Sequence, residues 1–216
     1  MPRLAVFDLD GTLVDSAPDI HAALDRLVAG QGRPGFARPE VTAMIGDGVR
    51  ALVERAAAAR GIAFSEALLA GFTADYTARA AEATALFPGI AAALEALAGA
   101  GWTLAVCTNT PAAATAALLG ALGLAGRFAA GGGGDSFPVR KPDPAHLLGT
   151  IARAGGDPAR AVMIGDHRND VAAAQGAGLP CLFAGWGYGT PAMAAGAAAT
   201  AATPADLLPL LRDLLA

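Results

Sequence analysis

Four short apolar runs punctuate the chain: Leu4 to Phe7, Thr103 to Cys107, Ala161 to Ile164 and Leu179 to Phe183. Each is apolar at nearly every position and bounded by polar or turn-forming residues, the pattern of strands buried on both faces of a parallel sheet. Three of them run straight into polar groups, at Asp8 and Asp10, at Thr108-Asn109 and at Gly165-Asp166. Sites in parallel sheets are built at such strand ends. Between the runs, segments such as Gly89 to Ala98 and Pro111 to Gly120 read as helices. The alternation predicts an α/β fold with a Rossmann-like, mostly parallel sheet covered by helices on both faces. Phe128 to Gly134, with four consecutive glycines from Gly131, reads as a flexible loop after a short strand. It lacks the spacing and the Lys-Ser/Thr ending of a P-loop.

The interval from Ser16 to about Ala85 breaks the alternation. Pro18 to Ala29, Gly48 to Arg60 and Ser65 to Ala80 all carry apolar residues at helical spacing, with little strand character. This predicts a core formed by residues 1–15 and 86–216, with residues 16–85 inserted as a helical cap. Periodicity alone leaves a second reading open, in which these helices thicken the core.

Composition narrows the class. A chain of 216 residues that is 54% hydrophobic and 16% charged folds, and it is long enough for a core with an insertion. Its formal charge of -4 gives no support for a nucleic-acid surface. Cys107 and Cys181 are far apart, sit in apolar runs and lack metal-ligand spacing, which suggests a reducing compartment. The start, MPRLAVFDLD, reaches acidic residues too early for a secretory signal, and no apolar run has membrane-spanning length. The expected location is the cytoplasm, with no membrane partner.

Asp8 and Asp10 raise the chemical question. Two carboxylates at the mouth of a buried strand carry a desolvation cost and repel one another. The segment Asp8-Leu9-Asp10-Gly11-Thr12 resembles the first signature of the haloacid dehalogenase-like (HAD) hydrolase superfamily. Cys107-Thr108-Asn109 resembles its second signature, Lys141-Pro142 its third, and Gly165-Asp166-His167-Arg168-Asn169-Asp170 its fourth. Four motifs in order cover nearly the whole core. Within the superfamily the pattern is most similar to phosphoglycolate phosphatases, through Thr12 to Ser16, Ile45 to Gly48, Arg140 to Pro144 and Gly185 to Gly189.

The resemblance implies a phosphoric monoester hydrolase acting on a small phosphorylated metabolite, most closely 2-phosphoglycolate, through an aspartyl-phosphate intermediate. Asp8 would be the nucleophile. Asp10 would protonate the leaving oxygen and then activate water. Lys141 would pair with Asp8 and the phosphoryl group, while Thr12, Thr108 and Asn109 would bind phosphate oxygens. Asp8, Asp166 and the main-chain carbonyl of Asp10 would hold a metal, with Asp170 binding it through water or orienting Asp166 and Lys141. An oxygen donor set without a His/Cys cluster suits Mg²⁺. Asp15 reads as a loop or capping carboxylate. His167 departs from the small hydroxyl residue common at that place in the family, and reads as a neighbour of the site or a solvent-facing group.

Specificity would come from the cap, where Ile45 to Arg50 joins helices and Arg50 is a candidate fork for a substrate carboxylate. Two alternatives share the motifs. A phosphosugar mutase would return the phosphoryl group from Asp8 to a sugar, and a non-enzymatic phosphometabolite sensor would keep the site for binding alone.

Overall fold

The computed structural model describes residues 2–215. Six strands form one parallel sheet: β1 (Leu4–Phe7), β4 (Thr103–Cys107), β5 (Ala130–Gly132), β6 (Ala161–Gly165), β7 (Cys181–Ala184) and β8 (Ala199–Ala201). The sheet order is β5-β4-β1-β6-β7-β8. A second, two-stranded antiparallel ribbon pairs β2 (Val14–Asp15) with β3 (Ala85–Leu86). The helices are α1 (Ala17–Ala29), α2 (Arg38–Thr42), α3 (Val49–Ala59), α4 (Glu66–Ala78), α5 (Ile90–Gly99), α6 (Ala112–Ala121), α7 (Pro144–Arg153), α8 (Arg168–Gly176) and α9 (Leu207–Leu214).

The unbroken apolar runs have a simple cause. Successive side chains of a strand point to opposite faces, and here both faces are covered. Ala5 and Phe7 of β1 belong to one apolar cluster with Val106, Ile164, Leu94 and Leu97 of α5 and Leu207 and Leu211 of α9. Leu4 and Val6 belong to the other, with Cys107, Met163, Leu147 and Ile151 of α7 and Val171 of α8. Burying a Leu, Ile or Phe side chain contributes about 1.5 to 3 kcal/mol, so a polar residue on either face of β1 would be costly. The interior positions of β1, β4, β6 and β7 are all apolar, and polar residues come where those strands end.

Helices α1 to α4 stand between the paired strands β2 and β3, so the chain leaves β1 and returns to α5 through one narrow ribbon. Asp19, in the first turn of α1, fixes the return: its carboxylate accepts hydrogen bonds from Ala83 N–H at 2.9 Å, Thr84 N–H at 2.8 Å and the Thr84 hydroxyl at 2.6 Å. Ile20, Leu24, Leu52, Val53, Phe72 and Tyr76 pack these helices into the same apolar cluster as Phe7.

Two local expectations change. Gly131 and Gly132, read as loop, lie in β5, paired with Val106 and Cys107 of β4, and a side chain at Gly132 would strike the Thr150 hydroxyl of α7. Strand β7 begins at Cys181 rather than Leu179, after Pro180, whose missing N–H cannot join the ladder. Both cysteines are free and buried. Among the described residues, no helix is long and apolar enough to cross a membrane.

Candidate active site

The sheet order reverses at β1, whose neighbours are β4 and β6, and a crevice opens at such a switch point beyond the strand ends. The polar groups that follow all three strands meet there. Asp8 is tied to β6 by its N–H, which donates to Ile164 O at 2.8 Å, and its Oδ1 accepts from Leu9 N–H at 2.7 Å. Lys141 Nζ lies 2.9 Å from the same Oδ1 and 2.5 Å from Asp170 Oδ1. Asp170 Oδ2 accepts from His167 N–H at 3.0 Å. Asp166 is held by the Thr12 hydroxyl at 2.8 Å on one oxygen and by Tyr188 N–H at 2.8 Å on the other.

Asp8, Asp166 and Asp170 are all buried, and each offers a carboxylate oxygen within 4.8 Å of the others. Two of these carboxylates, Asp8 and Asp170, share the Lys141 ammonium, while Asp166 has only neutral donors. Burial first, then the charges of Asp8 and Asp170, push Asp166 up to about 8. Burial works against the Lys141 charge, but Asp170 and Asp8 outweigh it and raise its pKa, so it stays an ammonium. A compact, all-oxygen cluster with an excess of negative charge fits a hard divalent cation.

Asp10 occupies a different setting. Ser16 Oγ donates to its Oδ1 and Thr110 Oγ1 to its Oδ2, both at 2.5 Å. Burial raises its pKa, and the two hydroxyls pull it back. Asp8 and Asp10 therefore sit in different electrostatic settings: one is salt-bridged to an ammonium, the other lies between two hydroxyls.

Lys141 is positioned by its own backbone. Its N–H donates to His146 Nδ1 at 3.1 Å, and its carbonyl accepts from Asn109 Nδ2 at 2.9 Å. His146 Nε2 is 3.1 Å from Gly133 O, and with Nδ1 accepting, the ring is a neutral Nε2–H tautomer. Burial and then the Lys141 charge push its pKa down to about 4, in keeping with that state.

The loop between α2 and α3 closes over these residues. Gly46 O accepts from Asn109 Nδ2 at 3.0 Å and from Asn169 Nδ2 at 3.3 Å, and Asp47 Oδ1 accepts from Asn169 Nδ2 at 2.6 Å. Gly46 has φ +118°, and a Cβ there would lie 2.6 Å from Cδ2 of the His167 ring. His167 is thus the floor on which the loop rests, as well as the N-cap of α8. A cavity of about 30 Å³ remains, lined by Asp8, Asp10, Thr108 and Asn109 below and by Ile20, Ile45, Gly48, Val49, Leu52, Phe72 and Tyr76 above. That is room for about two waters.

The structure brings together Asp8, Asp10, Thr108, Asn109, Lys141, Asp166 and Asp170. Two expectations fare differently. The Thr12 hydroxyl donates to Asp166 and its N–H to Leu9 O, so neither donor is left for a phosphate. Arg50 forks onto Glu66 with two bonds of 2.8 Å and lies over the Phe64 ring, on the outer side of α3. It does not line the cavity. Asp15, half-buried, accepts from Arg38 and from the Tyr188 hydroxyl, both at 2.8 Å. Sequence reasoning missed Ser16, Thr110, Tyr76, Asn169 and the part played by His146. Ser16 and Asn169 lay inside matched motifs without being given a role, and Thr110 is the next hydroxyl after Thr108-Asn109.

A family model described as haloacid dehalogenase-like hydrolase matches residues 2–178. A phosphoglycolate phosphatase of Agrobacterium fabrum is 43% identical over 189 residues, which are 86% of this chain and 81% of that protein. Phosphoglycolate phosphatase 1 of Pseudomonas aeruginosa is 41% identical over 221 residues, covering 100% of this chain and 79% of its own. Among solved structures, one described as a predicted phosphoglycolate phosphatase from Haemophilus somnus matches with a TM-score of 0.88 at 29% identity, covering 96% of this chain and 97% of that one.

Proposed function

The chain belongs to the haloacid dehalogenase-like hydrolase family and is a phosphoric monoester hydrolase, and we propose that it hydrolyses 2-phosphoglycolate to glycolate and phosphate through an aspartyl phosphate on Asp8. The observation that carries this reading is the contrast between the two carboxylates of the cavity, Asp8 beside Lys141 and Asp10 between two hydroxyls.

In the first step a carboxylate oxygen of Asp8 attacks phosphorus, and the bond from phosphorus to the glycolate oxygen breaks as the new bond forms. Asp10 gives its proton to the departing oxygen. In the second step Asp10 takes a proton from water as the water attacks the aspartyl phosphate, releasing phosphate and restoring Asp8. Lys141 offsets charge on Asp8 and the phosphoryl oxygens, with the Thr108 hydroxyl and the Asn109 main-chain N–H as further donors. Asp8, Asp166 and the Asp10 main-chain carbonyl would hold a divalent cation, with Asp170 fixing Lys141 behind them. Mg²⁺ suits this oxygen donor set, and it would offset repulsion between the phosphate and Asp8.

Helices α1 to α4, residues 16–85 as a unit, act in this reading as the cap that excludes bulk water. The names of the bacterial relatives support a short leaving group. The test is a side-by-side screen for phosphate release from 2-phosphoglycolate, phosphosugars and nucleotides, on protein stripped of metal and then given Mg²⁺. The expected result is Mg²⁺-dependent release with the highest kcat/KM on 2-phosphoglycolate. Higher kcat/KM on a nucleotide or phosphosugar, or conversion of a phosphosugar to its isomer without phosphate release, would contradict it.

A further inference from the structure

Three buried side-chain polar atoms lack a hydrogen-bond partner among the described residues, and two of their residues, Tyr76 and Asn109, line the cavity. The Asn109 atom is the acceptor Oδ1. The Tyr76 atom is the phenolic oxygen, which carries a donor. Tyr76 is only 3% exposed, its ring is stacked on Phe72 at 5.9 Å, and leaving such a hydroxyl unpaired costs stability. Burial first, then the negative charges of Asp10 and Asp19, raise its pKa well above 10, so the proton stays on the oxygen.

The same cavity takes in the start of α3. Gly48 and Val49 line it, and Gly48, the N-cap, makes no side-chain capping bond. The first N–H groups of an α-helix have no acceptor within the helix, and their end of the helix carries a partial positive charge. The cavity lining includes no lysine or arginine, and Arg50 is engaged by Glu66 on the far side. An anionic leaving group would therefore have to be held by neutral donors.

We infer that the Tyr76 hydroxyl, together with the first turn of α3, receives the carboxylate at the glycolate end of the substrate. This rests on the reading of the protein as a 2-phosphoglycolate phosphatase and supplies the anion contact that Arg50 does not. A phenol to a carboxylate is a charge-assisted hydrogen bond, and the helix terminus suits the same ligand. Asn109 Oδ1 cannot serve, because two acceptors do not bond.

The test is Tyr76→Phe, assayed on 2-phosphoglycolate and on ethyl phosphate, which has the same length but no carboxylate. The variant removes an atom that makes no hydrogen bond in the protein, so Tm is expected to hold or rise. The ratio of kcat/KM for 2-phosphoglycolate to that for ethyl phosphate is expected to fall about 10- to 100-fold, mainly through KM. A variant that keeps the wild-type ratio, one that loses both activities alike, or one whose Tm drops sharply overturns the inference. A wild-type protein with no preference for 2-phosphoglycolate over ethyl phosphate contradicts the substrate reading, and the inference with it, before any variant is made.

Discussion

Lys141 Nζ stands 2.9 Å from Asp8 Oδ1, and the two side chains are 1% and 9% exposed. A buried ion pair is weak ground for net stability, but removing one partner leaves the other charge uncompensated, at about 3 to 5 kcal/mol. Here the remainder would be three carboxylates. Lys141→Met is therefore expected to lower the unfolding free energy by about that amount at pH 8. Urea unfolding should show the deficit shrink as pH falls, because protons then replace the missing cation. Turnover should fall by at least about 10²-fold at every pH.

His146 gives a pH prediction of the same sign by another route. Its pKa in the fold, about 4, lies below the unfolded value near ~6.5, so the unfolded chain binds more protons between the two. Its contribution to stability is complete above pH ~6.5 and is lost as pH falls toward about 4. His146→Gln removes that titration, so the stability gap between wild type and variant should narrow between pH 7 and pH 5. A gap that widens on acidification would show that His146 is protonated in the fold.

Asp19 accepts from Ala83 N–H, Thr84 N–H and the Thr84 hydroxyl, and it is 6% exposed. Asp19→Ala leaves buried donors unpaired, and the expected loss is about 1 to 3 kcal/mol by denaturant unfolding. Asp19→Asn retains one acceptor and should lose less. Equal stability in all three proteins would mean that water takes over these donors.

Gly46 combines a positive φ with close approach to His167, so Gly46→Ala meets both backbone strain and a clash. The loop should lift from Asn109 and Asn169, lowering kcat/KM for 2-phosphoglycolate by at least about 10-fold while Tm changes little. Wild-type kinetics in this variant would show that docking of the loop is not needed for turnover.

The sheet and the cluster of polar groups at its strand ends were legible for the same reason: strands buried on both faces place their polar residues at the ends, and the order of the four motifs marked which ends belong together. Asp8, Asp10, Thr108, Asn109 and Asp166 all follow such strands, and the strand order brings them together. What was not legible depends on partners distant in sequence. Glu66, sixteen residues after Arg50, decides where that arginine points, and Asp166, far from Thr12, takes its hydroxyl. Tyr76 reads as one more apolar position of a helix until its hydroxyl is found without a partner. Gly131 and Gly132 look like loop because propensity says nothing of the helix that crosses close above them.

The central claim is that Asp8 carries the phosphoryl group. Rapid-quench labelling with phosphate-labelled 2-phosphoglycolate and Mg²⁺ tests it most directly, comparing wild type with Asp8→Asn and Asp10→Asn. The account predicts acid-stable label on the wild type at early times and none on Asp8→Asn. On Asp10→Asn, a substrate with a good leaving group, such as p-nitrophenyl phosphate, should leave label that persists, since the group that activates water is gone. Label on Asp8→Asn equal to that on the wild type would contradict the account.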